Sequence, residues 1–329
     1  MDTPTVGSGH IRGSSLPMPA WLVDLSLTGW RRPGVNAVAG FTSTVEPESV
    51  TDHFIRLDDE LTVHFQRAGQ GEQCVLLLPG WTMSSQVFER QLEYFDGSDQ
   101  FRFISFDPRA HGLSSKTPTG HYYEQHGRDL QAFIDALELD KIVLGGWSFG
   151  CLSTLSYINQ FGSERLSGFI MLDGPPRAVG ADNQTEWVTY SYGDADGSEE
   201  FFTMGRLRNP ESTNREFAAW MLEDKSAENI LWVEQITTQT PDEVASMLNA
   251  TSAFLDYRED LISLDGKIPL CYLLSAGREK IVSDWARENT PSAQVTAFGE
   301  HLMFWERADE FNHVLTEFAR QCARPPEED

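Results

Sequence analysis

The chain has 329 residues, and 40% of them are hydrophobic, which is enough for one large α/β domain carrying an insertion. Asp and Glu number 50 against 25 for Lys and Arg, so the formal net charge is -25. This charge repels nucleic acid and anionic lipid, so neither is an expected partner. The four cysteines lack metal-ligand spacing, and no signal peptide or membrane span is recognisable. We therefore expect a cytoplasmic protein with no metal and no cofactor.

The first fifty residues differ in composition from the rest. Residues 1–50 are rich in Gly, Pro, Ser and Thr, which predicts a partly flexible N-terminal arm. One apolar island interrupts the arm, Pro19-Ala20-Trp21-Leu22-Val23-Asp24-Leu25. Packing of this island on its own domain is the simpler expectation, and docking on a second subunit, as in a homodimer, is the alternative.

Beyond the arm, short apolar runs typical of strands alternate with helical patterns. The runs are His53–Leu57, Leu61–Phe65, Cys74–Leu78, Phe101–Phe106, Ile142–Leu144, Leu166–Leu172, Ile268–Leu274 and Gln294–Phe298. Asp58-Asp59-Glu60 predicts a hairpin turn between the first two runs. The alternation of strands and helices predicts an α/β fold with a mostly parallel sheet flanked by helices.

The alternation stops in the third quarter of the chain. Helical patterns, many acids and scattered Trp and Phe residues fill residues 176–265. This region is predicted to be a helical cap inserted after the sixth strand. The core would then consist of residues 51–175 and 266–324.

A serine between two glycines stands out in the core. Ser148 lies between Gly146 and Gly150, directly after an apolar strand and directly before a helical pattern. This is the pattern of a nucleophile elbow, a turn that exposes serine at the carboxyl end of a sheet. The turn forces the serine into a strained backbone conformation, and the glycines leave room where side chains would collide.

Four segments together resemble the α/β-hydrolase fold over residues 53–322. They are Pro79-Gly80-Trp81, Asp107-Pro108-Arg109-Ala110-His111-Gly112, Gly146-Trp147-Ser148-Phe149-Gly150 and Gly299-Glu300-His301. The segment His301-Leu302-Met303-Phe304-Trp305-Glu306, followed by Phe311, resembles a cap-bearing group. That group includes non-haem chloroperoxidase-like esterases, epoxide hydrolases, haloalkane dehalogenases and cofactor-free dioxygenases. The resemblance implies an enzyme with an eight-stranded sheet, but it does not fix the reaction.

A serine hydroxyl needs a base to become a nucleophile, and the base needs a third group to hold its tautomer. His301 follows the last strand, where the fold directs a histidine at the elbow. The orienting acid has two candidate places in this fold. Asp173 ends the strand after the elbow, and Glu279 lies beyond the strand that precedes the histidine loop. Asp173 is favoured because the cations Arg278 and Lys280 flank Glu279, although Asp173 could simply cap a turn.

The resemblance also implies an oxyanion hole. Its donors would be the backbone N–H groups of Trp81 and Phe149. Many relatives have His-Gly where this chain has Pro79-Gly80, so one hydrogen-bonding side chain of that loop is absent. The indoles of Trp81 and Trp147 would flank an apolar pocket for a small-molecule organic substrate.

Two reactions fit these residues. The leading hypothesis is a serine hydrolase of the esterase or lactonase type, acting on a small-to-medium apolar or aromatic ester through an acyl-enzyme. Ser148, where dehalogenases and epoxide hydrolases have Asp, disfavours the alkyl-enzyme route. The alternative is a cofactor-independent dioxygenase, in which His301 and Asp173 deprotonate a hydroxylated N-heteroaromatic ring. A non-catalytic receptor on the same fold is a third reading.

Overall fold

A computed structural model of the chain describes residues 51–193 and 197–323, so the predicted arm at residues 1–50 lies outside the described part. The described residues all belong to one compact unit of the chain. Its strands are β1 (Thr51–Arg56), β2 (Thr62–Ala68), β3 (Gln73–Leu78), β4 (Phe101–Phe106), β5 (Ile142–Trp147), β6 (Leu166–Leu172), β7 (Val179–Gly180), β8 (Tyr190–Ser191), β9 (Leu270–Leu274) and β10 (Gln294–Ala297).

The α-helices of the described residues lie between and after these strands. They are α1 (Glu89–Phe95), α2 (Tyr123–Ala136), α3 (Gly150–Phe161), α4 (Ser198–Arg208), α5 (Pro210–Met221), α6 (Ala227–Thr237), α7 (Asp242–Ser252), α8 (Arg258–Ile262), α9 (Glu279–Asn289), α10 (Met303–Glu306) and α11 (Ala308–Cys322). Short 3-10 turns at Ser85–Phe88 and Ala276–Arg278 lead into α1 and α9.

Eight strands form one sheet in the order β1-β2-β4-β3-β5-β6-β9-β10. β2 runs antiparallel to both β1 and β4, and the remaining neighbours are parallel. The central strands are apolar along their length because helices cover both faces of a parallel sheet. In β3, for example, Cys74 to Leu78 are at most 1% exposed. The predicted mostly parallel, eight-stranded α/β-hydrolase architecture is confirmed.

The chain between β6 and β9 leaves the sheet. Residues 176–265, which we call the insert, contain helices α4 to α8 and the short parallel pair β7 and β8. The helices agree with the sequence expectation, whereas two-residue strands are too short to produce a recognisable alternation. The insert returns to the sheet at β9, which pairs with β6.

The structure also describes the four cysteines and the length of the helices. All four cysteines, Cys74, Cys151, Cys271 and Cys322, are buried and unpaired. Burial raises the pKa of each thiol, that of Cys74 to about 11 and those of the other three further. Within residues 51–193 and 197–323, no helix is long and apolar enough to cross a bilayer.

A buried histidine ties the first hairpin to the rest of the sheet. The His64 side chain, which is 3% exposed, bonds through Nδ1 to Asp107 Oδ2 (2.8 Å) and through Nε2 to Asp52 Oδ1 (3.0 Å). Burial alone would lower the pKa of His64, but the two carboxylates outweigh it and raise the pKa to about 9. Burial would raise the pKa of the Asp107 carboxyl, but the contact with His64 outweighs burial and lowers that pKa. His64 is therefore a protonated, doubly paired cation at neutral pH.

This pairing predicts a loss of stability at alkaline pH. A raised folded-state pKa stabilises the protein fully below the unfolded value of 6.5, and the contribution disappears as the pH rises through about 9. The shift corresponds to on the order of 3 kcal/mol, at ~1.4 kcal/mol per pKa unit. The free energy of unfolding, measured in urea from pH 6 to 10, should fall at alkaline pH in the wild type and much less in His64→Gln. His313→Gln, at an exposed position on α11, is the control. An equal decline in wild type and His64→Gln would contradict the pairing.

Candidate active site

The serine lies on the sharp turn that its sequence pattern predicts. Ser148 connects β5 to α3 with a φ of 54°, a left-handed conformation that is costly for a residue with a Cβ. Its N–H donates to the carbonyl of Leu172, the last residue of β6, at 2.8 Å. The turn is therefore hydrogen-bonded to the neighbouring strand, which holds Ser148 at the carboxyl end of the sheet.

Close backbone contacts surround the elbow. A Cβ at Gly146 would lie 2.3 Å from the carbonyl carbon of Gly150, so no other residue fits this position without a shift of the helix. A Cβ at Gly80 would lie 2.9 Å from the Cβ of Ser148. The segment after β3 thus passes directly beside Ser148, and it can do so only because residue 80 is glycine.

The histidine and one of the two candidate acids are in contact. His301 Nδ1 and Asp173 Oδ2 are 2.6 Å apart, and both side chains are less than 10% exposed. Asp173 follows β6 and His301 follows β10, so the two strand ends bring together residues distant in sequence. Among the described contacts there is no hydrogen bond between Ser148 Oγ and His301.

The second carboxylate oxygen of Asp173 is also occupied. Asp173 Oδ1 accepts from the backbone N–H of Ser275 at 2.8 Å and from its hydroxyl at 2.9 Å. Burial raises the pKa of Asp173, but the His301 contact and the Ser275 hydrogen bonds outweigh it, so the net pKa is lowered. Asp173 is therefore an ionised, fully oriented carboxylate. Ser275 was not among the site residues predicted from the sequence, where its only signal is a hydroxyl directly after β9.

Glu279 does not join this group. It is exposed at the first position of α9 and, within the described part of the chain, makes no hydrogen bond or ion pair with His301. The 3-10 turn Ala276–Arg278 follows β9 after Ser275 and separates Glu279 from the end of that strand. Arg278 also turns aside and donates to the carbonyl of Asn183 at 2.7 Å.

The two amides expected in an oxyanion hole have no hydrogen-bond acceptor. Within residues 51–193 and 197–323, the N–H groups of Trp81 and Phe149 donate to no carbonyl or side chain. Phe149 directly follows Ser148, and Gly80, whose space borders the Ser148 Cβ, directly precedes Trp81. Both donors are therefore close to the serine and available to an anionic oxygen.

Two tryptophans contact His301 from different elements. The Trp147 ring lies 5.1 Å from the His301 ring, and its indole N–H donates to the His301 carbonyl at 3.0 Å. Trp147 therefore supports the histidine loop, a role that its expected position beside the pocket did not suggest. The Trp220 ring, on α5 of the insert, lies 4.8 Å from His301 and is 56% exposed. The helical pattern of α5 carries no sign of this contact.

Successive aromatic rings run from one side of Ser148 to the other through the insert. Neighbouring centroids are 4.8 to 6.1 Å apart. In order, this aromatic belt consists of Phe149, Tyr190, Phe202, Trp81, Phe217, Trp220, His301 and Trp147. Both ends of the aromatic belt, Phe149 and Trp147, are therefore chain neighbours of Ser148. No group of three or more His, Cys, Asp or Glu among the described residues could hold a metal ion.

Comparison with known proteins gives a consistent result. A family model described as α/β hydrolase fold matches residues 73–202. The AB hydrolase superfamily protein YisY of Bacillus subtilis is 24% identical over 279 residues, which cover 81% of this chain and 98% of YisY. A bromoperoxidase from Bacillus anthracis superimposes with a TM-score of 0.71 at 22% identity, over 82% of this chain and 100% of its own. The esterase EaEST from Exiguobacterium antarcticum gives 0.70 at 20% identity, with the same coverage.

The close backbone packing predicts a strict requirement for glycine at the elbow. Gly146→Ala should destabilise the fold by about 2 kcal/mol or more, because the added methyl would overlap main-chain atoms that cannot move independently. The measurement is the free energy of urea unfolding. Gly277→Ala is the matched control, since nothing lies within 4 Å of a Cβ built there. Equal stability of the two variants would show that the elbow is more loosely packed than the structure indicates.

Proposed function

We propose that this chain, which has the α/β-hydrolase fold, is a serine hydrolase of the esterase or lactonase type. Ser148 is the nucleophile, His301 the general base and Asp173 the acid that orients His301. The observation that carries this assignment is the 2.6 Å contact between Asp173 Oδ2 and His301 Nδ1. It supplies the third member that a serine and a histidine require.

The Asp173 contact supports Nε2 of His301 as the base. An ionised carboxylate at Nδ1 keeps the proton on that nitrogen, which leaves Nε2 free to accept the proton of Ser148 Oγ. Oγ then attacks the substrate carbonyl, and His301 returns the proton to the leaving alcohol. Hydrogen bonds between nucleophile and base are often long without substrate and shorten when it binds.

The amides of Trp81 and Phe149 stabilise the oxyanion of the tetrahedral intermediate. Their availability supports this role, since donors already bonded elsewhere would have to break those bonds during the reaction. Water then hydrolyses the acyl-enzyme, with His301 acting again as base. The reaction needs no cofactor.

The aromatic belt supports an apolar substrate. Small-to-medium esters or lactones with aromatic or aliphatic groups fit surroundings of this kind, in which few polar groups fix orientation. The insert contributes four of the rings and acts as a cap over the serine. Fold similarity to an esterase is compatible with this substrate class but does not define it.

Removal of the nucleophile gives the first functional prediction. Ser148→Ala should abolish turnover of p-nitrophenyl acetate or a related short ester, and it should abolish covalent labelling by a fluorophosphonate probe. The measurements are initial rates and gel fluorescence, with Ser283→Ala on the outer helix α9 as control. Labelling that persists in Ser148→Ala would contradict the nucleophile. Oxygen uptake with a hydroxylated N-heteroaromatic substrate would instead support the dioxygenase alternative.

The choice of acid gives a second functional prediction. Asp173→Asn should lower kcat by roughly 1,000- to 10,000-fold, because an amide at this position favours the wrong His301 tautomer. Glu279→Gln should retain kcat within about twofold of wild type, a difference near 0.4 kcal/mol in barrier. Steady-state kinetics on the same ester measure both variants. The reverse order of effects would assign the acid to Glu279.

A further inference from the structure

The segment that carries one oxyanion donor has a strained backbone. In the oxyanion loop, which we define as residues 79–83, the N–H of Met83 donates to the carbonyl of Gly80 at 3.1 Å and closes a turn. Thr82, the third residue of this turn, has a φ of 63°. Glycine or asparagine normally takes such a position, and a β-branched residue there is an outlier costing about 1–3 kcal/mol. Something outside the loop must hold it.

The insert supplies what holds the loop. The indole N–H of Trp81 donates to the carbonyl of Ala245 at 2.7 Å, and the hydroxyl of Thr240 donates to the carbonyl of Thr82 at 3.1 Å. The hydroxyls of Thr82 and Thr237 are 2.6 Å apart. Thr82, Thr237 and Thr240 are at most 1% exposed, so no solvent competes for these bonds.

A buried cation lies behind the two threonines. The guanidinium of Arg206, which is 1% exposed, donates from Nη1 to Thr237 Oγ1 and from Nη2 to the Thr240 carbonyl, both at 3.0 Å. Its Nε donates to Asp242 Oδ1 at 2.8 Å, and its Cζ lies 5.8 Å from the centre of the Trp81 ring. Arg206 therefore contacts both insert threonines that bond to the loop, Thr237 and Thr240, but not Ala245.

The chemistry of arginine fixes the direction of these bonds. A guanidinium has donors and no acceptor, so Thr237 Oγ1 must accept from Arg206. The Thr237 proton is then free for Thr82 Oγ1, and the Thr82 hydroxyl donates to the Trp81 carbonyl at 2.6 Å. Hydrogen bonds in such a chain polarise one another. All of them point from the cation toward the Trp81–Thr82 peptide.

We propose that Arg206, Thr237 and Thr82 form a positioning relay through which the insert holds the oxyanion loop in its catalytic conformation. Relaxation of Thr82 to a negative φ requires the Trp81–Thr82 peptide to rotate, and the relay bonds the carbonyl of that peptide. The turn that presents the Trp81 N–H beside Ser148 is therefore maintained by a side chain of the insert. The catalytic consequence rests on the proposed function, whereas the structural consequence does not.

The relay is tested by two pairs of variants. Thr237→Val removes the relay hydroxyl with little change of shape, and Thr238→Val, on the exposed side of the same helix end, is its matched control. Thr82→Gly removes the hydroxyl and also the strain, because glycine tolerates a positive φ. Because the turn then needs no outside support, Thr82→Gly added to Thr237→Val should restore most of the kcat lost in Thr237→Val. Thr82→Ser added to Thr237→Val keeps a side chain at the positive φ, so it is the control and should not restore kcat.

The kinetic outcome separates positioning from simple structural support. Thr237→Val should lower kcat by roughly 10- to 100-fold with KM within about threefold, less than the ~100- to 1,000-fold loss on removing an oxyanion donor. The Thr82→Gly/Thr237→Val double variant should recover kcat even where its Tm stays as low as that of Thr237→Val. Thr237→Val with the wild-type kcat, or a double variant as slow as Thr237→Val, would overturn the relay.

A measurement that needs no activity separates the relay from the proposed function. In protein labelled with ¹⁵N-tryptophan, the backbone amide resonance of Trp81, assigned with Trp81→Phe, should shift in Thr237→Val and stay in place in Thr238→Val. An unmoved resonance in Thr237→Val would overturn the relay whatever the kinetics. If wild type is not labelled by fluorophosphonate, the proposed hydrolase fails while the amide shift still decides the relay.

Discussion

The site depends on how closely three backbone segments approach one another at the carboxyl end of the sheet. The ends of β3 and β5 and the start of α3 meet where a Cβ at Gly80 or Gly146 would enter space already filled. Atoms packed in this way have little freedom, since protein interiors are as dense as organic crystals. The left-handed Ser148 is affordable only in such surroundings. Its position is thus set by the main chain, before any side chain of the site is considered.

Charges and hydrogen bonds then fix the orientation of the Asp173 and His301 side chains. Asp173 is buried and charged, which is costly unless every lone pair is used. His301 takes one oxygen, and the two donors of Ser275 take the other. In the proposed reaction, a carboxylate held in this way needs no reorganisation when a positive charge develops on the imidazole, as a preorganised site requires. The same logic applies at His64, where two carboxylates stabilise a buried cation that supports the sheet and not the reaction.

Sequence reasoning succeeded where the deciding interactions are local. The strand, turn and helix around Ser148 lie within a few residues, so the pattern of glycines and apolar residues predicts the elbow directly. The carboxylate that contacts His301 could not be identified from a local pattern, because β6 and β9 are neighbours in the sheet and each is followed by a candidate acid. The turn Ala276–Arg278, which separates Glu279 from the end of β9, has no distinctive composition. Trp147 shows the same limit, since its partner, the His301 carbonyl, is remote in sequence.

Contacts of the insert were the hardest to predict from the sequence, because they join residues that are distant in the chain. The insert contacts the site on two sides. Trp220 packs on His301, and the carbonyl of Met221 accepts from Leu302 beside it. On the other side, Arg206 acts on the oxyanion loop through Thr237.

A buried arginine is an expensive way to stabilise a helix pair, because packed apolar side chains often do as well or better. What arginine contributes here is a fixed direction of hydrogen bonding. A guanidinium can only donate, in a fixed planar geometry, so it orders a chain of hydroxyls that could otherwise point either way. A hydrophobic residue at position 206 could fill the volume between α4 and the segment that joins α6 to α7, but it could not make the Thr237 hydroxyl donate to Thr82. The charge is thus best explained by the geometry it imposes on the loop beside Ser148.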